Sequence, residues 1–364
     1  MSYFVNIRKQ LIPLNWIRGI AALMVVAFHC HSVMALPKYF GVVIFPVFSA
    51  GDSGVQLFFV LSGFVIFLSH VNDPEGDQSA LLMFAFKRFR RIYLPLWVVL
   101  SAVTPIVMMG IFGPPPSAWK VVVDYLILPA PNEALLAVEW TLRHEILFYI
   151  FFSLFLWRRR LGSFVFMLWG IGGILSTMVM DKNWLIEFLL NSNHMLFVFG
   201  MGVAWLYCRG ERRGALFALA GGVALFSAAY TLKLSKSSSY DVIVILLGLG
   251  ASAIVYGLSS IPSWNRPVWL LDKLGASSFG LYLIHFPMVS ALVKIALIID
   301  QHIHLPSKIY FIIIVTLCQL AALVFHQWVE TPLIAWAGRF KPHVGQGRMA
   351  GRAEPSARVE QPSP

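Results

Sequence analysis

Along this chain apolar residues gather into long runs separated by short polar or basic breaks. A helix that crosses the hydrocarbon core of a bilayer needs about 20 such residues. Read against that length, the runs fall at roughly 14–34, 54–70, 93–113, 142–157, 163–180, 192–208, 214–232, 242–260, 277–298 and 309–330. The fourth is short. The breaks include Phe112-Gly113-Pro114-Pro115-Pro116, a cluster that ends the third run firmly. The pattern predicts an all-α integral membrane protein, a bundle of about ten transmembrane helices.

Composition strengthens this picture. Of 364 residues, 58% are hydrophobic and 12% charged, whereas a soluble domain carries roughly a quarter of its residues charged. Too little polar surface is available to coat a globule in water. The net charge of +11 would suit nucleic acid only if it formed one stripe, and it does not. The basic residues flank the apolar runs: Arg8 and Lys9, then Lys87 to Arg91, Arg158 to Arg160, Arg209 to Arg213, Arg266 and Lys273. By the positive-inside rule these breaks are cytoplasmic. An even number of spans then leaves both the N- and C-termini cytoplasmic. Past Arg339 the chain is rich in Gly, Pro, Arg and Ser, which divides it into a membrane domain, 1–340, and a disordered basic tail, 341–364. Cys30, Cys208 and Cys318 lie in apolar runs without metal-ligand spacing, so neither a metal site nor a disulfide framework is expected.

Ionisable residues inside spans are costly and point to function. Arg18 and His29 share the first span. Eleven residues of helix leave them about 20° apart around the axis and roughly 16 Å apart along it. They therefore occupy one face, Arg18 near the cytoplasm and His29 in the outer half. A snorkelling arginine and a hydrogen-bonded core histidine would explain the pair without function. Gly51 to Phe64 holds small residues that let helices approach closely, with Gln56 and Ser62 able to hydrogen-bond within the bundle. The Lys87-Arg88-Phe89-Arg90-Arg91 cluster reads either as topology signal and headgroup contact or as a phosphate clamp. Glu139-Trp140-Thr141-Leu142-Arg143-His144-Glu145 opens the fourth span and sets Glu145 near the depth of His29. His285 lies in the middle of the ninth span, before Pro287, and Glu330 closes the last span beside the basic cluster.

In this order, these six elements resemble the acyltransferase-3 family of membrane acyltransferases, over about residues 11 to 335. Arg18 and His29 match its arginine, ten residues, histidine signature, and Arg88 and Arg90 match its Arg-x-Arg motif. Leu57 to Phe64 and Trp140 to Glu145 match two further motifs, the latter in the form found where bacterial exopolysaccharides and surface glycans are O-acetylated. The resemblance implies a multi-pass protein of the bacterial inner membrane. It also implies acyl transfer, acetyl above all, from cytoplasmic acyl-CoA to a hydroxyl of a saccharide or lipid-linked glycan, without a metal. Arg18, Arg88 and Arg90 would hold acetyl-CoA. His29 would act as general base or as acyl-carrying nucleophile, for spacing fits both, and Glu145 would hold its tautomer or bind the acceptor. Gln56, Trp140 and His285 would bind substrate. Membrane lipid is a further partner, nucleic acid is not, and a homo-oligomer is compatible with everything above. Two positions depart from the family pattern, since Asn15 and Gln56 are amides where many members carry carboxylates. The competing reading is a proton-coupled transporter or flippase of a lipid-linked sugar, which also uses intramembrane His, Arg and Glu.

Overall fold

The computed structural model describes residues 11–110, 114–131, 134–176, 183–210, 212–261 and 268–342. Arg8, Lys9, Arg266, Phe112, Gly113 and most of the tail predicted at 341–364 lie outside the described residues. Those described form helices and no strand. In chain order they are α1 (Ile12–Met34), a 3-10 helix (Pro46–Ser53), α2 (Gly54–His70), α3 (Gln78–Met108), α4 (Ala118–Tyr125) and α5 (Glu139–Trp157). Then come α6 (Arg159–Ser176), α7 (Trp184–Leu189), α8 (His194–Cys208), α9 (Ala215–Ser235), α10 (Tyr240–Ser260) and α11 (Trp269–Asp300). The last are α12 (Ser307–Phe325), a π-helical turn (His326–Glu330) and α13 (Thr331–Ala337).

Among the described residues, 8 helical segments are long and apolar enough to cross a membrane. The fourth and fifth predicted spans are the helices α5 and α6. The first is interrupted by Glu139, Arg143 and Glu145, and the second opens on two arginines, so each falls short of the others in apolar length. Two spans begin earlier than the hydropathy suggested. Helix α3 starts at Gln78, where the Asp77 side chain accepts from the Ser79 backbone N–H at 2.9 Å. The basic cluster is therefore part of that helix and shares its faces. Helix α11 starts at Trp269, eight residues before its predicted edge.

Lipid is as apolar as the side chains, so helices associate through close packing more than through burial from water. Here α1 sits between α2 and α11, and glycines set both distances. A Cβ on Gly54 would strike the Ala21 carbonyl, and one on Gly19 would strike the backbone at Leu274 and Gly275. Helices α2 and α8 interlock in the same way through Gly63 and Gly200. Behind them lies an aromatic core, with Phe148 stacked on Phe197 at a centroid distance of 4.4 Å. Large apolar side chains such as Ile150, Phe217, Ile312 and Val324 remain exposed on the outside, the surface expected to meet lipid. At one end of α5, buried Arg143 donates to Asp124 at 2.7 Å, and Asp124 also accepts from Lys120 at 3.1 Å and from the Leu135 N–H at 2.9 Å. This network ties α4 and the following loop to the start of α5.

Candidate active site

Helix α3 turns its basic cluster toward the base of α1. Arg18, Lys87, Arg88, Arg90 and Arg91 line one open cavity of about 820 Å³ with Glu330 and His326 of the π-helical turn. Arginines two apart point to different faces of a helix, and Arg88 and Arg90 behave accordingly. Arg88 lies over the rings of Phe84 and Tyr149, at 5.4 and 5.6 Å. Arg90 turns sideways, donating to the Ile334 carbonyl at 3.3 Å. Glu330 accepts from His326 at 2.9 Å when that imidazole carries its proton on Nδ1. The mouth is thus strongly cationic around one largely buried carboxylate, an environment suited to a multiply charged anion such as a phosphate.

Two smaller cavities continue inward, and Arg18 and Arg91 line both of them as well as the mouth. The first encloses about 600 Å³ against Ser62, Thr141, Glu145, Ser278 and Tyr282. Arg18 donates to the Ser278 hydroxyl at 3.1 Å. Glu145 accepts from Ser62 at 3.4 Å and, in a short contact, from the Tyr149 hydroxyl. Tyr282 donates to the Val138 carbonyl at 3.1 Å and shares a hydrogen bond of 2.7 Å with Thr141.

Beyond Tyr282 the polar groups are histidines. The Tyr282 ring lies 5.8 Å from that of His285, which lies 5.2 Å from that of His29. Phe28 and Phe286 meet His29 edge-on at 5.0 and 5.1 Å. Phe286 also borders a wide vestibule of about 1250 Å³ whose wall includes Trp140, His144, Trp184, Glu187 and Asn191. Behind that wall, His144 and His194 are joined by a 2.6 Å hydrogen bond. His144 stacks on Phe188 and His194 on Trp169. The cavities and rings thus run from a cationic mouth, past Arg18 and Glu145, to histidines beneath an aromatic vestibule.

Comparison with known proteins identifies the family. The profile of the acyltransferase-3 family, described as an acyltransferase domain, matches residues 12–325. The chain belongs to this family. It is similar to the acyltransferase MdmB of Streptomyces mycarofaciens, 25% identical over 77% of this chain and 79% of that one. It is also similar to the exopolysaccharide production protein ExoZ of Rhizobium meliloti (strain 1021), 28% identical over 84% of this chain and 96% of that one. No solved structure matches. The protein is a multi-pass membrane acyltransferase.

Within this acyltransferase, Arg18, Arg88 and Arg90 line one mouth. The structure brings His29 to His285. Trp140 lies in the vestibule. Two expectations change. Glu145 stands in the cavities of Arg18, where Ser62 and Tyr149 donate to it; the ring beside His29 belongs to His285. Gln56 is buried and donates to Asn193 at 3.1 Å, and Asn193 donates in turn to Asn191 and Tyr240. It therefore reaches the vestibule wall only through a chain of amides. Asn15 packs on Gly275, roughly 21 Å of helix rise from His29, so its amide has no direct bearing on that histidine. Arg91, Tyr149 and Tyr282 went unassigned in the sequence. A signal existed for Arg91, since it stands three residues after Arg88 and four after Lys87, and so shares a face with them.

Proposed function

We propose that this acyltransferase moves an acyl group, acetyl above all, from cytoplasmic acyl-CoA to a hydroxyl of an exported or surface glycan in the bacterial inner membrane. The observation that carries this reading is the position of Arg18, which lines the cationic mouth and both cavities leading inward. With the basic breaks on the cytoplasmic side, the mouth opens to the cytoplasm and the vestibule to the far side. Arginine forks match phosphate oxygens, so Arg18, Arg88 and Arg91 would hold the phosphates of CoA. The pantetheine arm would then run inward past Glu145 and Tyr282. The relative ExoZ, named for exopolysaccharide production, supports a glycan as acceptor. A vestibule wall of Trp140, Trp184, Glu187 and Asn191 supplies the aromatic faces and polar groups that a sugar would use.

In the reaction, His29 removes the proton from the acceptor hydroxyl as its oxygen attacks the thioester carbonyl. The C–S bond then breaks, and the proton passes from the imidazolium to the departing thiolate. A neutral imidazole is needed at the start. The test uses the purified protein in liposomes with radiolabelled acetyl-CoA, beside mass spectrometry of surface glycans from cells with and without the gene. Acetyl-CoA should stabilise the protein thermally, and glycan acetylation should vanish without it. Sugar movement across the liposome with no label transferred would favour a flippase instead.

A further inference from the structure

His29 needs a partner that fixes which of its nitrogens carries the proton, because the other must present a lone pair to the hydroxyl. Carboxylates commonly do this, yet among the described residues the side chains packed on His29 are Phe28, His285 and Phe286. Glu145 is engaged by Ser62 and Tyr149. Asp52 is held by Lys233 at 2.8 Å.

His285 offers a different solution. It is fully buried in α11, and its Nδ1 lies 3.0 Å from the Leu281 carbonyl oxygen. A carbonyl only accepts, so Nδ1 carries the hydrogen and Nε2 is left with its lone pair. That Nε2 is buried and has no hydrogen-bond partner, a costly state for a polar atom in the middle of a bundle. The imidazole packed beside it is that of His29, 5.2 Å away between centroids. Two imidazoles joined by an N–H···N bond of about 2.9 Å have centroids about 5 Å apart. The protein supplies its own reference: His144 and His194 are hydrogen-bonded with centroids 4.6 Å apart. The His29–His285 centroids stand 0.6 Å farther apart than those of that hydrogen-bonded pair (5.2 against 4.6 Å).

We infer that His285 is the positioning residue for His29, its Nε2 accepting the His29 N–H and so leaving the opposite His29 nitrogen as the base. The Leu281 carbonyl sets the tautomer of His285, and His285 sets that of His29. The bundle thus uses a chain of two imidazoles where a carboxylate would otherwise stand. When His29 takes up the hydroxyl proton, its other N–H stays on the Nε2 of His285, and no net charge is left after the thiolate is protonated. This inference rests on the function proposed above.

The test compares wild type, His29→Ala, His285→Leu, His285→Gln and Asp52→Asn, purified in liposomes with acetyl-CoA and the acceptor glycan. Partners of this kind are typically worth 10- to 100-fold. His285→Leu should lose roughly that factor in kcat with an unchanged KM for acetyl-CoA, and His285→Gln, whose amide oxygen can accept, should recover most of it. Asp52→Asn should stay near wild type. Should the Leu variant fail to accumulate, His285→Phe removes the nitrogens while keeping a planar ring. Equal rates for the Gln and Leu (or Phe) variants, a loss confined to KM, or wild-type kcat without the imidazole would overturn the inference. So would a large loss in Asp52→Asn alone. If wild type itself transfers nothing from acetyl-CoA, the proposed function fails and this assignment with it. Active wild type with inactive His29→Ala and fully active His285→Leu would remove only the role of His285.

Discussion

The two ends of the site handle charge in opposite ways. At the mouth, four arginines and a lysine from α1 and α3 surround Glu330, and two of the five, Lys87 and Arg91, are exposed. At the far end, His29 packs among the rings of Phe28, His285 and Phe286, His285 is held at the Leu281 carbonyl, and Asp52 is tied to Lys233. Fixed positive charge attracts and holds an anion, but it would keep a neighbouring imidazole from gaining a proton. In the proposed function distance separates the two tasks, for roughly 16 Å of helix lies between Arg18 and His29. Binding and proton transfer can then be tuned on one helix without interfering.

That contrast breaks most severely at His29. His29→Ala should lower turnover by at least about 100-fold, the usual worth of a general base, while the protein accumulates in the membrane normally. Full turnover in a variant that inserts would show that the histidine end does no chemistry. Next comes Arg18. Arg18→Gln keeps a polar side chain but loses a charged donor, which is worth roughly 1.5–3 kcal/mol or about 10- to 100-fold in donor affinity. Calorimetry with CoA should read this loss, and turnover at saturating donor should fall far less.

The arginines of α3 sharpen the comparison further. Arg91 lines all three cavities, whereas Arg90 is turned to the Ile334 carbonyl and packs on Gly338. Arg91→Ala should therefore weaken CoA binding about tenfold, and Arg90→Ala clearly less. The reverse order would mean that α3 presents another face to the donor. The smallest effect concerns salt. Raising ionic strength from about 0.05 to 0.5 M shortens the screening length and should raise the donor KM several-fold while leaving kcat nearly constant. A parallel fall in kcat would place fixed charge at the reacting atoms.

Much of this division was legible in the sequence, for identifiable reasons. Helical periodicity fixes the relation of Arg18 to His29 whatever the rest of the chain does. Hydropathy places the spans because lipid demands apolar length. It misjudges the start of α3, since a helix continues past the membrane edge wherever residues such as Lys87 and Arg88 permit it. The partner of Glu145 was not legible. Its hydrogen bond to Tyr149 joins residues one turn apart, but its place in the cavity of Arg18 depends on how α5 rotates against α1, α2 and α3. The approach of His285 to His29 likewise depends on α11 packing against α1 at Gly19 and Gly275. Gln56 looked like a substrate contact because it is polar within a span, yet its amide N–H donates to Asn193 just before α8.

The central claim is that the mouth binds the donor and the histidine end performs the transfer. Binding and turnover measured side by side on His29→Ala and Arg18→Gln test it most directly, with CoA calorimetry and labelled acetyl transfer on the same preparations. His29→Ala should bind CoA like wild type and transfer nothing, while Arg18→Gln should bind it about 10- to 100-fold more weakly and still turn over at saturating donor. Loss of CoA binding in His29→Ala, or unchanged binding in Arg18→Gln, would contradict the account.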